Sequence, residues 1–197
     1  MKAHGLTVTK NTRLRAKRTS SRSKPQAEKP NQLWGIDMTK FKTADGWGYL
    51  VVVLDWYSKK IVGHHLSSLS RTSEWLEALE EGVQKQFSNG SRGQKLKLVS
   101  DNGCQPTSTR FMKTCHHLGI EQIFTSYNNP KGNAETERMM RTLKEELLWL
   151  REWDSLNEAQ TALGKWINYY NERYLHSAHG YRSPEWAEKH YKEQTAA

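Results

Sequence analysis

Leu33-Trp34-Gly35-Ile36-Asp37-Met38-Thr39-Lys40-Phe41 is the stretch on which the fold turns. Its pattern over 34–41 alternates as a half-buried strand does. Asp45-Gly46 follows as a turn signal, and then Tyr49-Leu50-Val51-Val52-Val53-Leu54, a continuous apolar run suited to a central strand. Ser58-Lys59 marks a second turn, and residues 60–66 read as a third strand. Three strands with short connections make an antiparallel meander.

Working outward, Ser73 is placed to cap a helix with Trp75, Leu76, Leu79, Val83 and Phe87 at helical spacing. Residues 95–100 form a fourth strand, 108–118 a helix stopped by Gly119, and 120–124 a fifth strand. Strands that alternate with helices pair in parallel. The expectation is an α/β fold, a five-stranded mixed sheet with three antiparallel then two parallel strands, flanked by helices. Residues 125–133 are a turn-rich loop, and a long helix follows from Ala134 to about Leu150. Further helices are expected over 156–170 and 184–191, the last with Pro184 at its start. The chain divides into a basic arm over 1–30, a core over 31–152 and a helical C-terminal extension over 153–197.

The net charge of +9 is concentrated in the arm, where nine Lys and Arg face the single acid Glu28. Such an arm, with Arg13, Arg15, Lys17 and Arg18 at its centre, suits phosphate contacts on nucleic acid. Mean hydropathy is −0.88, and no apolar run approaches the ~20 residues of a membrane span. The two cysteines, Cys104 and Cys115, make no disulfide framework and fit a reducing, cytoplasmic setting. Cys115-His116-His117 is a poor zinc site, because adjacent residues do not readily share one tetrahedral ion.

Three acids stand out: Asp37 inside the first strand, Asp101 at the end of the fourth, and Glu137 early in the long helix. A charge at such positions is costly to bury without a partner. Three converging carboxylates would cage hard divalent cations, an arrangement suited to phosphoryl transfer. On the long helix Met140, Leu143, Leu147 and Leu150 make the apolar stripe, and Glu137, Arg141 and Lys144 stack along its edge. By itself that edge also reads as a surface Glu137–Arg141 ion pair. Glu135 is a rival for the third acid. Asp55, before Trp56-Tyr57-Ser58, reads as a turn organiser. His64, His65 and the aromatic residues Trp149, Trp153, Trp166, Tyr169 and Tyr170 read as structural more readily than as ligand contacts.

Trp34-Gly35-Ile36-Asp37-Met38-Thr39, Ser100-Asp101-Asn102-Gly103 and Asn129-Pro130-Lys131-Gly132-Asn133-Ala134-Glu135-Thr136-Glu137-Arg138 together resemble the D,D(35)E signature of the retroviral integrase core. Thirty-five residues separate Asp101 from Glu137. The nearest likeness is to bacterial insertion-sequence transposases of the OrfB type, whose tail is similar to Tyr169-Tyr170-Asn171-Glu172-Arg173-Tyr174-Leu175-His176 and Gly180-Tyr181-Arg182-Ser183-Pro184.

The resemblance covers roughly 31–190 and implies an RNase H-like fold with Asp37, Asp101 and Glu137 as catalytic, metal-ligating residues. It selects Glu137 over Glu135 by its spacing to Lys144. It implies Mg²⁺, with Mn²⁺ as a substitute and two ions when DNA is bound, and DNA strand cleavage followed by 3′-OH strand transfer. Lys144, Arg141 and Asn133 become expected DNA contacts, and Asn102, Gly103 and Gly132 the residues that shape the loops. Expected partners are DNA at the transposon ends and target, further copies of the chain, and a helix-turn-helix region or partner protein. The expected location is the bacterial cytoplasm, beside the nucleoid. Two other readings share the chemistry or the fold: an RNase H-type or structure-selective nuclease that does not join strands, and a catalytically inactive DNA-binding remnant.

Overall fold

The computed structural model describes residues 26–125 and 132–196. The arm residues Arg13, Arg15, Lys17 and Arg18, and most of the loop before Gly132, lie outside them. β1 (Leu33–Thr43), β2 (Gly46–Asp55) and β3 (Ile61–Ser67) form the meander; α1 (Thr72–Gln86) leads to β4 (Lys97–Ser100), and α2 (Thr109–Leu118) to β5 (Glu121–Phe124). The sheet order is β3-β2-β1-β4-β5. β1 pairs antiparallel with β2 and parallel with β4, and β4 pairs parallel with β5. The mixed five-stranded sheet is therefore the one expected.

Strand alternation sends β1 and β2 side chains to opposite faces, and each face has its own core. Trp34, Ile36, Val51 and Val53 pack with Trp75, Leu79 and Phe111 from α1 and α2. Leu33, Leu50, Val52 and Leu54 pack on the other face with residues of α3 (Ala134–Leu143) and α4 (Leu156–Arg173). Trp153, Trp166 and Tyr170 are buried there, as the structural reading of those rings requires, whereas Trp149 and Tyr169 are exposed. A last helix, α5 (Pro184–Ala196), packs on α4.

Two local expectations are corrected. α1 begins at Thr72, and its first cap is Arg71, whose N–H donates to Glu74 Oε2 at 2.6 Å; Ser73 already lies in the helix and its hydroxyl donates to Glu74. The long helix is not one regular α-helix to Leu150. After Leu143 it opens into a π turn, Lys144–Leu148, with Trp149 N–H donating to the Lys144 carbonyl at 2.8 Å. A π turn takes one more residue than an α turn, so the apolar stripe slips by one position. Leu148 is buried in place of Leu147, and Leu150 is 70% exposed.

Candidate active site

Gly35 explains how α3 reaches the sheet. It occupies the α3/α4 face of β1, and a Cβ there would collide with Thr136 Oγ1 and Trp56 Nε1 and crowd Asn133 Oδ1. A glycine inside a strand is a recognised place for close approach by another element. The contact is sealed by the buried hydrogen bond that Trp56 Nε1–H donates to Thr136 Oγ1 at 2.9 Å. Sequence reading gave Gly35, Thr136 and Trp56 no role in the site; the glycine in the strand was the available signal.

Asp37 lies two residues beyond Gly35 on the same face, and Glu137 follows Thr136. β4 brings the second acid. Gly35 pairs with Val99 in the parallel β1–β4 ladder, and Asp101 follows two residues on, near enough for its charge to raise the Asp37 carboxyl. The three acids thus come from β1, the end of β4 and the first turns of α3. Asp37 is half-buried, while Asp101 and Glu137 are exposed.

Burial pushes the Asp37 carboxyl up, the Met38 N–H that donates to Oδ1 at 2.8 Å pulls it down, and the charges of Asp101 and Glu137 raise it again. Lys144 opposes them, and the result is a pKa raised from 3.8 to about 6. The neighbourhood therefore has a surplus of negative charge, and its donors are hard carboxylate oxygens of the kind that suit Mg²⁺. Among the described residues, however, no three His, Cys, Asp or Glu side chains stand close enough to grip an ion as they are.

The end of β4 is fixed by its neighbours. Gly103 N–H donates to Asp101 Oδ1 at 2.9 Å, and a Cβ on Gly103 would press on that carboxylate. The Asn102 side-chain amide donates to the Thr125 carbonyl, tying this turn to the end of β5. Gly132 and Asn133 are buried at the start of α3. Asn133 makes no side-chain cap bond, and its Oδ1 is buried without a partner, so its side chain points inward rather than to solvent. Arg141 is exposed, and Lys144 is half-buried with Nζ 5.9 Å from the Trp149 ring centre. Glu135 faces the other way and pairs with Lys59 Nζ at 2.8 Å.

The remaining singled-out groups are structural. Asp55 is 1% exposed and accepts from Asn31 N–H, Ser58 N–H and Ser58 Oγ–H, so it organises the β2–β3 turn. His64 and His65 clasp β3 to α1 through Glu81 and Glu77 at 3.3 and 3.1 Å. Cys115 is buried and its thiol is pushed up to about 12, while His116 and His117 are exposed.

Residues 27–130 match the integrase core domain, and a second integrase core domain profile matches residues 118–184. This chain belongs to the integrase core domain family. Among its relatives is the transposase for insertion sequence element IS904 of Lactococcus lactis, 32% identical over 84% of this chain and 64% of the relative. A putative transposase for IS986/IS6110 of Mycobacterium tuberculosis is 30% identical over 75% of this chain and 54% of the relative. The chain therefore spans about half to two-thirds of the curated relatives it matches.

Integrase cores also share its architecture. The HTLV-2 integrase catalytic core domain in complex with magnesium superposes with a TM-score of 0.62, at 18% identity over 83% of this chain and 99% of that one. The BIV integrase catalytic core domain gives a TM-score of 0.60 at 19% identity, over 85% and 99%. At these identities the likeness establishes the RNase H-like fold. Among the described residues, no helix is long and apolar enough to cross a membrane.

Proposed function

We propose that this integrase core is the catalytic domain of a DNA transposase, cleaving a DNA strand and joining the freed 3′-OH to a second phosphodiester. The observation that carries the reading is the charge environment of Asp37. A half-buried carboxylate is opposed by Asp101 and Glu137, acids delivered by two other elements, and relieved by Lys144. Membership of the integrase core domain family and the transposase relatives support the substrate class.

Asp37, Asp101 and Glu137 would hold Mg²⁺, two ions when DNA is bound, with Mn²⁺ as substitute. Bound there, the metal supplies Lewis-acid activation of the attacking oxygen and stabilisation of the leaving 3′ oxygen. The protein's own part is positional. Met38 and Gly103 N–H groups each take one oxygen of Asp37 and Asp101, which fixes how both carboxylates present themselves. Docking of Thr136 on Gly35 sets the height of Glu137 above the sheet. Lys144 and Arg141, on the same edge as Glu137, hold the strand by its phosphates, and the arm with Arg13, Arg15, Lys17 and Arg18 adds contacts without sequence preference. Asn133 serves from inside, shaping the start of α3 with Gly132. The protein works as a multimer on transposon ends and target DNA in the bacterial cytoplasm, with end recognition supplied by a helix-turn-helix region or partner.

A crystal soaked in Mn²⁺ and read by anomalous scattering tests the site. One peak held by Asp37, Asp101 and Glu137, and lost in Asp101→Asn, is expected. Carboxylates that stay apart with DNA bound would leave only the inactive remnant. A joining assay on a pre-nicked DNA end then separates a transposase from a nuclease, since only the former yields joined product.

A further inference from the structure

α3 has a second functional edge. Glu135, Arg138 and Thr142 recur at i, i+3 and i+7 and line a cleft of about 340 Å³ on the side of the helix away from Glu137. Its far wall is built by the end of α4 and the segment after it. Trp166, Tyr170 and Tyr174 form a ring stack with successive centroids 5.1 Å apart, and Tyr174 is the member that reaches the cleft with Tyr170 behind it. His176 sets its ring against both tyrosines, at 5.3 and 5.2 Å. Its Nε2 is buried without a partner. The rim carries Leu175 and Tyr181, which are 61% and 68% exposed, and Arg138, which is also exposed.

A ring-walled slot of mixed polarity, with the Lys59–Glu135 ion pair in its lining, a neutral polar atom inside and a guanidinium at its mouth, matches a nucleotide: a flat base, a polar base edge and an anionic phosphate. Burial pushes His176 down to about 4, so its ring is uncharged at neutral pH and presents a hydrogen-bonding edge rather than a cation. A paired base inside a duplex does not enter such a slot, whereas an unpaired one stacks on protein rings irrespective of sequence. The cleft lies across α3 from Glu137, roughly the 10–12 Å width of a helix away.

We propose that this cleft receives one unpaired nucleotide of the DNA strand that crosses α3, with its base against Tyr174 and Tyr181 and its phosphate on Arg138. The inference rests on the DNA reading above and deepens it, by assigning a place to a strand that has left the duplex beside the cleavage point.

Fluorescence anisotropy of the full chain in EDTA tests it, because chelation removes any contribution from metal at the three acids. Three probes are compared: a duplex with a short single-stranded tail, the same duplex with an abasic tail, and a blunt duplex. The tailed duplex is expected to bind about tenfold tighter than the other two. Tyr181→Ala should abolish that preference, and Arg138→Ala should weaken the tailed and abasic probes alike, with circular dichroism unchanged in both variants. Equal binding of the tailed and abasic probes overturns the proposal, as does a preference that survives Tyr181→Ala. Binding of none of the probes would instead overturn the DNA reading on which it rests.

Discussion

Asp37 is held in its charged form against its surroundings, and that has a measurable cost. Its folded pKa of about 6 lies above the usual 3.8, so the folded state binds the proton more tightly than the unfolded chain. Stability from this group is then greatest below about pH 4 and falls as pH rises through about 6. Asp37→Asn keeps an oxygen for the Met38 N–H and removes the charge. It should stabilise the protein at pH 7 by about 1–3 kcal/mol, with little effect at pH 4. Urea denaturation of both proteins at the two pH values checks this, and loss of DNA joining in the stabler variant would mark the strain as functional. Burial raises Asp55 to about 6 as well, with the charge of Glu188 adding to it, although three accepted hydrogen bonds pull the other way. Asp55→Ala should cost about 3 kcal/mol or more by leaving the Asn31 and Ser58 donors unpaired, read as a lower midpoint.

Among the elements, α3 decides the site, and both of its ends depend on features that a periodicity reading treats lightly. At the start, the approach of Thr136 to β1 requires the bare backbone of Gly35. Gly35→Ala should push α3 off the sheet and lower stability by about 3 kcal/mol or more, with DNA joining lost even where the fold survives. At the end, the π turn exchanges the roles of neighbouring leucines. Leu148→Ala should cost about 2–5 kcal/mol, while Leu150→Lys should stay within about 0.5 kcal/mol. Thermal melts of the pair check the slipped register directly. A regular helix would produce the opposite ranking, with Leu150 the sensitive position.

For the molecule as a whole, charge is unevenly distributed along the sequence. The arm over 1–30 carries eight of the nine net positive charges, so the remainder is close to neutral. Deleting residues 1–25, which spares the Ala27 contact with the core, should leave the unfolding midpoint unchanged. It should flatten the dependence of DNA affinity on salt concentration, since each lost phosphate contact lowers the slope by about one. A DNA affinity and salt slope indifferent to the deletion would assign phosphate binding to the core, with Arg141 and Lys144 carrying it.

How much of this could be read from the chain depends on the range of each interaction. The alternation around Trp34 and Ile36, the apolar run from Leu50 to Leu54 and the Gly119 stop are local, and they settled the strands, their order along the chain and the mixed sheet. Asp37, Asp101 and Glu137 were singled out because acids in strand-like and helix-start settings are costly, and the resemblance supplied their spacing. Tertiary structure decided what no local pattern contains. The parallel β1–β4 pairing brings the charge of Asp101 to bear on Asp37, the gap at Gly35 lets Thr136 approach the sheet with Glu137 next to it, and the ion pair to Lys59 turns Glu135 the other way. The π turn that buries Leu148, the inward side chain of Asn133 and the cleft beside Tyr174 belong to the same class. Local backbone preference and hydrophobic period act over a few residues and are written in the sequence. Which atoms from distant segments share one space is fixed only when the two faces of the sheet are packed.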